Sequence, residues 1–229
     1  MISIIHGNDI ARSRTFYIEE RQKYENPDVF DGEKLDYNTL FQTFEGNSLF
    51  SEKRFVFVEN YISKQRANSN EFKEIVEYLT KNKDIDITFW EDKELTKAQI
   101  LAFKNPVTNL FNYPQILFTF LDSLRPNNLT SVKLFHSLME TMETELIFYM
   151  IVRQFRLLLS QVENTEKNID EAKRLAPWQK SKLKTQANYF GKDRLVTLYK
   201  KLYKIDYETK YGLTSLPLNS TIDIFLIDL

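Results

Sequence analysis

The 229-residue chain is 42% hydrophobic and 28% charged, which is the balance of a globular protein with room for two modest domains. Its apolar stretches fall far short of the roughly 20 residues that span a bilayer, and residues 1–9 carry no basic leader or cleavage site, so we expect a cytoplasmic protein without membrane contact. It has no cysteine and only two histidines, His6 and His136, which excludes disulfides and the usual zinc-site patterns.

The first 113 residues alternate between strand-like and helix-like patterns, which favours a parallel sheet flanked by helices. Segment 55–58 is a near-continuous run of apolar β-formers and predicts a central strand covered on both faces. Apolar residues recur at helical spacing over 72–79, and Thr96 is a plausible cap for a short helix that follows it. The predicted strands are 2–5, 55–58, 85–89 and 106–111.

From about Pro114 onward, stretches with helical periodicity replace the strand patterns and predict a helical bundle. Gly191 and Gly212 bound the last long helix. The tail 222–229 fits a strand or a helix by periodicity alone, and we place it as a final helix. Before this tail, the predicted helices of the bundle are 115–124, 128–140, 143–162, 168–175, 177–190 and the long helix 192–211. The predicted domains are therefore 1–113 and 114–229.

The turn after the first strand decides whether the α/β domain has a phosphate loop. A working loop needs several glycines followed by a lysine and a serine or threonine. Residues 6–12 contain one glycine, no Gly-Lys pair and an acidic residue, Asp9, where phosphate would sit. Glu59 follows the strand 55–58, but without a phosphate loop we interpret it as a capping or exposed residue. The sequence therefore predicts no ATP hydrolysis, no catalytic residue, and no bound cofactor or metal.

Positive charge is concentrated towards the C-terminus, although the net charge is −1. Residues 173–210 contain eleven Lys or Arg against Asp193, Asp206 and Glu208. Such a surface favours nucleic acid or an acidic partner, so a stand-alone nucleic-acid-binding protein that uses these basic helices is the alternative function. The same lysines also fit the solvated face of amphipathic helices, and both interpretations stay open.

Three segments in chain order carry a family resemblance. Residues 4–9 read Ile-Ile-His-Gly-Asn-Asp, and residues 46–58 contain a Ser-Leu-Phe element followed by a basic residue and an apolar strand. Residues 145–159 include Arg-Gln-Phe-Arg. They are followed by Ala-Asn-Tyr-Phe at 187–190 and by an Asp…Lys…Gly pattern within 205–212. Together these segments resemble the delta subunit of the bacterial DNA polymerase III clamp loader, a degenerate member of the ATPases associated with diverse activities (AAA+).

The resemblance implies an architecture. Residues 1–113 are expected to form an AAA+ or RecA-like α/β domain whose phosphate loop has decayed, and residues 114–229 a helical, collar-like oligomerisation domain. Family members normally carry a small helical lid domain between these two. Here the chain passes almost directly from Phe111 to a helix that begins at Gln115. The resemblance therefore implies a delta subunit that lacks the lid.

The resemblance also implies a function in DNA replication, in which the subunit binds and opens the sliding clamp without hydrolysing ATP itself. Ser48, Leu49 and Phe50 are the implied clamp-binding residues, and the alternative that Leu49 and Phe50 fill the core stays open. Arg153 and Arg156 are candidates for contacts with a neighbouring subunit or DNA, or equally for solvated ends of an internal helix. The implied partners are the sliding clamp (beta subunit), ATPase and delta-prime-type loader subunits, and primed DNA through the complex.

Overall fold

The computed structural model describes residues 1–32, 34–35, 39, 54–66, 69–82, 85–163 and 169–229. The chain divides into two compact units, Met1–Tyr113 and Pro114–Leu229. The first unit contains a parallel sheet with helices and the second is helical, which confirms the predicted fold class. No helix in the described part of the chain combines the length and the hydrophobicity needed to cross a bilayer.

The sheet of the N-terminal unit is parallel throughout, and its order is β2-β3-β4-β1-β5. β1 pairs on one side with β4, where Ile4 lies opposite Phe89, and on the other side with β5, where Ile4 lies opposite Thr108. The strands are β1 (Ile2–His6), β2 (Asp28–Asp31), β3 (Arg54–Glu59), β4 (Ile85–Trp90) and β5 (Val107–Leu110).

Two features of the sheet differ from the prediction. The edge strand β2 was not predicted, because its four residues, Asp-Val-Phe-Asp, are too short and too polar to stand out as a strand. β3 is an interior strand with buried residues Val56, Phe57 and Val58, but β4 holds the middle position that we expected for β3. A run of apolar residues indicates that both faces of a strand are covered, but it does not predict the position of that strand in the sheet.

Helices with local capping signals connect the strands. Helix α1 (Ile10–Gln22) is capped by the Asp9 carboxylate, which accepts a hydrogen bond from the Arg12 amide at 3.1 Å. Helix α2 (Asn70–Lys81) is capped by Ser69 in the same way. Helix α3 (Lys97–Leu101) begins with a reciprocal capping box, as the sequence predicted at Thr96.

Apolar residues are buried on both faces of the sheet. One core contains Ile4, Val56 and Phe89 from the strands, with Phe72 from α2 packed on them. The second core brings α1 onto the opposite face, where Tyr17 contacts Phe57 and Trp90. Burial on both faces is the usual condition of a parallel sheet.

The C-terminal unit is a helical bundle around the long helix α6 (Thr144–Glu163). The tail forms a helix, α10, as predicted, and buries Ile222, Phe225 and Leu226. The helices are α4 (Gln115–Ser123), α5 (Thr130–Met139), α6 (Thr144–Glu163), α7 (Asp170–Arg174), α8 (Pro177–Phe190), α9 (Lys192–Lys210) and α10 (Leu218–Ile227). The bounds of α4 to α9 agree with the predicted helices to within two residues at each end, whereas α10 begins before the predicted tail helix.

A buried amide network connects α4, α6 and α8. The Gln154 side-chain amide donates through Nε2 to the side-chain oxygen Oε1 of Gln186 at 2.7 Å. The Gln186 amide in turn donates to the backbone oxygens of Leu121 and Leu124 at 2.7 and 2.8 Å. These two oxygens lie at the end of α4, where the regular helical bonding stops and Leu121 O accepts a longer bond, of 3.4 Å, from the Leu124 amide. Gln186 therefore completes the C-terminus of α4 inside the bundle.

Candidate functional site

The carboxyl ends of the strands and the start of α1 form one edge of the N-terminal unit. The adjacent strands β1 and β4 are followed by connections that run to opposite edges of the sheet, to β2 and to β5 respectively. In open parallel sheets, ligands bind in the crevice beyond the strand where the order reverses. The turn between β1 and α1, residues 7–9, is therefore the place where a nucleotide phosphate would be expected.

The backbone donors of this turn are already engaged within the chain. In a phosphate-binding turn these N–H groups point at the ligand and stay unpaired until it arrives. Here the N–H groups of Gly7, Asn8 and Asp9 donate to Lys93 O (3.4 Å), Asn112 Oδ1 (3.0 Å) and Phe111 O (2.9 Å), respectively. The Asp9 carboxylate also occupies the N-terminus of α1. The chain itself thus supplies the acceptors that a phosphate would supply.

Gly7 lets the segment after β5 lie directly on this turn. Its φ is +142°, and a Cβ added there would lie 1.9 Å from the Phe111 carbonyl oxygen. The Phe111 amide donates to the backbone oxygen of His6 at 2.8 Å, so Phe111 is bound through both its N–H and its carbonyl. The Phe111 backbone and the Asn112 side chain therefore fill the space above the turn.

His6, at the end of β1, is almost completely buried, with 2% of its surface exposed. Its Nδ1 accepts a hydrogen bond from the Leu95 amide at 3.1 Å, which requires Nδ1 to be unprotonated. Burial lowers the pKa of His6 below its ordinary value of 6.5, and the nearby Glu94 carboxylate opposes this only in part. His6 is therefore a neutral structural residue that joins β1 to the start of α3.

We expect His6 to make stability depend on pH. Because its pKa is lower in the folded state, its contribution is complete above the unfolded pKa of 6.5 and is lost as the pH falls below that value. His6→Asn keeps an acceptor near the position of Nδ1 but does not titrate. Between about pH 7.5 and about pH 5.5, the wild type should lose about 1 kcal/mol more unfolding free energy than His6→Asn, measured by urea unfolding. Equal losses in the two proteins would contradict this role.

Glu59, at the end of β3, is ion-paired and is neither a cap nor a free surface residue, which corrects its predicted role. Its carboxylate lies 2.7 Å from the Arg14 guanidinium, and both side chains are partly exposed. The same guanidinium lies over the rings of Trp90 and Tyr17, at 4.7 and 5.0 Å from their centroids. Arg14 thus forms an ion pair with Glu59 and also stacks on the aromatic residues of the second core.

Arg153 and Arg156 meet at a shared carboxylate. Both lie on α6, and Glu171 on α7 accepts hydrogen bonds from Arg153 Nε and, at 3.0 Å, from Arg156 Nη2. Each oxygen of the carboxylate serves one arginine, and all three side chains are partly exposed. The two arginines therefore connect α6 to α7 within the unit. Their predicted contacts with a neighbouring subunit or DNA stay a prediction.

Much of the basic charge near the C-terminus is paired within the unit. Of the eleven basic residues in 173–210, at least five have carboxylate partners among the described residues. The pairs are Lys173–Asp170, Lys182–Asp122, Lys192–Glu163, Lys201–Asp228 and Lys204–Glu208. Exposed pairs of this kind contribute little to stability, but they lower the positive potential available to nucleic acid. The pairing favours the solvated-face interpretation of these helices.

The predicted clamp-binding residues Ser48, Leu49 and Phe50 lie outside the described residues. The strand β3 begins at Arg54, and the Arg54 guanidinium contacts the Asp28 carboxylate on the neighbouring strand β2. The Ser-Leu-Phe element therefore precedes a strand that is anchored in the sheet on both sides.

Comparison with known proteins identifies the helical unit. Residues 115–228 match the family model of the DNA polymerase III delta subunit, C-terminal domain. The C-terminal unit belongs to this family. This confirms the predicted delta-type subunit through its C-terminal domain, and this delta domain contains Arg153, Arg156 and the whole of the amide network around Gln186. No curated protein matches the chain significantly.

Two solved structures are similar to the chain at low identity. The DNA clamp loader delta protein of Bacillus subtilis is 15% identical, with 99% of this chain and 94% of that chain covered and a TM-score of 0.49. A DNA polymerase III gamma subunit-related protein of Thermotoga maritima is 15% identical, with 99% and 92% covered and a TM-score of 0.34. The family assignment depends on the match of the delta domain alone.

Proposed function

We propose that this protein is a clamp-loader delta subunit that binds and opens the DNA sliding clamp and leaves ATP hydrolysis to its partner subunits. The observation that carries the proposal is the match of residues 115–228 to the C-terminal domain of the delta family. The Ser-Leu-Phe element at 48–50, placed before β3 in the N-terminal unit, supports it.

The clamp-binding part of the proposal assigns the contact to Leu49 and Phe50, with Ser48 beside them. Gly46 and Asn47 precede these residues and Ser51 follows them, and such residues are typical of solvent-facing turns. A Leu or Phe side chain moved from water into an apolar pocket contributes about 1.5–3 kcal/mol, which is the size of an interface hot spot. Two adjacent anchors of this kind would hold a small interface.

The hydrogen bonds of the β1–α1 turn support a subunit that does not use ATP. Three backbone donors of the turn are paired within the chain, and the Asp9 carboxylate lies at the N-terminus of α1. A phosphate would have to break these bonds and approach a like charge. ATP hydrolysis is therefore assigned to ATPase-type loader subunits.

The remaining parts of the proposal concern assembly. The delta domain, residues 115–228, is the proposed contact with the ATPase and delta-prime-type subunits, and primed DNA is reached through the complex in the cytoplasm. Arg153 and Arg156 are candidates for contacts with DNA or another loader protein at the part of α6 that meets α7. The passage from β5 to α4 through residues 111–114 leaves no room in the chain for a lid domain.

The double variant Leu49→Ala/Phe50→Ala tests the proposal directly. We expect the wild type to bind purified bacterial sliding clamp and the double variant to bind about a hundredfold more weakly or worse, because two apolar anchors are removed from one pocket. Affinity is measured by surface plasmon resonance on immobilised clamp, with and without ATP and Mg²⁺. The nucleotide should leave the affinity of the isolated protein unchanged.

The matched control is Leu101→Ala/Leu110→Ala, which truncates two exposed leucines elsewhere in the same unit. It should bind the clamp like the wild type, and circular dichroism should show that both double variants are folded. Clamp binding that survives in Leu49→Ala/Phe50→Ala would overturn the assignment of these residues. A wild type that does not bind the clamp at all would overturn the proposed function.

A further inference from the structure

The delta domain has an open apolar groove between α6 and α9. It encloses about 430 Å³ and continues to the start of α10 at Leu218. Phe148 and Leu202 form its buried floor, while Tyr149 and Tyr203 stand on its two walls with 56% and 69% of their surfaces exposed. Tyrosine and other large aromatic residues are enriched where proteins bind each other, because they combine a large apolar area with a polar tip. The groove is therefore a candidate docking surface.

The groove has the shape that receives a helix. Its wall on α6 is the stripe Glu145, Phe148, Tyr149 and Val152, and its wall on α9 runs from Tyr199 to Lys210. Both stripes repeat at three and four residues, which places each on one helix face. The α9 wall extends over about 16 Å at 1.5 Å per residue, the length of three helical turns. A third helix laid between two packed helices completes such a groove.

The charges at the groove select the partner. Glu145 and Asp206 line it, and neither has an ion pair among the described residues. Among the lining residues these two carboxylates outnumber the single cation, Lys210. An apolar partner would strip water from these carboxylates without replacing it, whereas Lys or Arg at the edges of the partner would pair with them.

We propose that the α6/α9 groove binds an amphipathic helix of another protein, with an apolar stripe flanked by Lys or Arg. Tyr149 and Tyr203 enclose the apolar stripe, and Glu145 and Asp206 pair with its basic flank. The groove lies wholly within the delta domain and is separate from the Ser-Leu-Phe element, so this binding does not depend on the clamp contact.

Two synthetic helical peptides test the proposal on the full chain. Both carry the same leucine stripe and a side-chain staple that keeps them helical, and they differ only in having Lys or Glu on the flanks. We expect the Lys peptide to bind at least about tenfold more tightly than the Glu peptide, measured by fluorescence anisotropy. Tyr149→Ala/Tyr203→Ala should weaken binding of the Lys peptide by about tenfold or more.

Charge variants separate the groove from general attraction. Glu145→Lys/Asp206→Lys should reverse the preference between the peptides, and Glu145→Gln/Asp206→Asn should abolish it. The control Glu140→Lys/Glu163→Lys changes the net charge by the same amount outside the groove and should keep the wild-type preference. Thermal unfolding of each variant shows whether it is folded.

Three results would overturn the proposal. The first is that neither peptide binds the wild type. The second is that the peptides bind equally well, or that their preference persists in Glu145→Lys/Asp206→Lys. The third is self-association in analytical ultracentrifugation that Tyr149→Ala/Tyr203→Ala abolishes, because the occupant would then be a second copy of the chain.

Discussion

Replacing Gly7 by alanine should lower the unfolding free energy of the N-terminal unit by about 3 kcal/mol or more. Two effects add at this position. The φ of +142° disfavours any residue with a Cβ, and the new Cβ would lie 1.9 Å from the Phe111 carbonyl oxygen. Relief of the clash requires residues 111–112 to move away and to break the hydrogen bonds that they make with the turn.

The unfolding of this unit can be followed through Trp90, which is buried beneath α1, if the exposed Trp178 is first replaced by phenylalanine. Gly212→Ala, whose effect is followed in the C-terminal unit by circular dichroism, is the control for backbone strain, because Gly212 also has a positive φ, of 65°, but no atom lies within 4 Å of an added Cβ. It should lose about 1 kcal/mol from backbone strain alone. Similar losses in the two variants would mean that residues 111–112 do not press on the turn.

Phe155→Ala should lower the unfolding free energy of the C-terminal unit by about 3–5 kcal/mol, the usual effect of removing a buried phenylalanine. Phe155 is fully buried on α6, and its ring contacts Phe190 of α8 and Phe225 of α10 at centroid distances of 5.7 and 5.5 Å. The truncation therefore leaves a cavity where three helices meet. Hydrogen exchange of peptides from α8 and α10 should accelerate together.

Phe118→Ala provides the control for this truncation. Phe118 lies on α4 in the same unit with 41% of its surface exposed, so its removal leaves no closed cavity. We expect a loss of about 1 kcal/mol or less, with exchange in α8 and α10 unchanged. Equal effects of the two truncations would contradict the central position of Phe155 in the core.

Local patterns predicted the elements of the fold well. The helices of the C-terminal unit followed from apolar periodicity, and Gly191 and Gly212 marked the two ends of α9. The tail helix could not be separated from a strand by periodicity, and the packing of Phe225 on Phe155 shows what stabilises the helical form. The edge strand β2 was not predicted because it has only four residues and half of them face solvent.

The sequence predicted the decayed phosphate loop but not what replaced it. A single glycine and Asp9 revealed that the loop had lost its ligand chemistry. The contacts that fill it join residues about a hundred positions apart, such as Asn8 and Asn112, and no local pattern encodes such pairs. No local pattern predicts the hydrogen bond from the Leu95 amide to His6 either. The same holds for the Glu171 carboxylate that Arg153 and Arg156 share, since both contacts depend on how the elements pack.

The bonds between the β1–α1 turn and residues 111–112 also tie the last residues of the first unit to its own sheet. These residues stand directly before Pro114, the first residue of the second unit. The N–H groups of the turn are held by acceptors that belong to the chain itself, and unlike a bound nucleotide these acceptors cannot dissociate from it. A ligand that bound at this turn would first have to replace acceptors that are part of the chain.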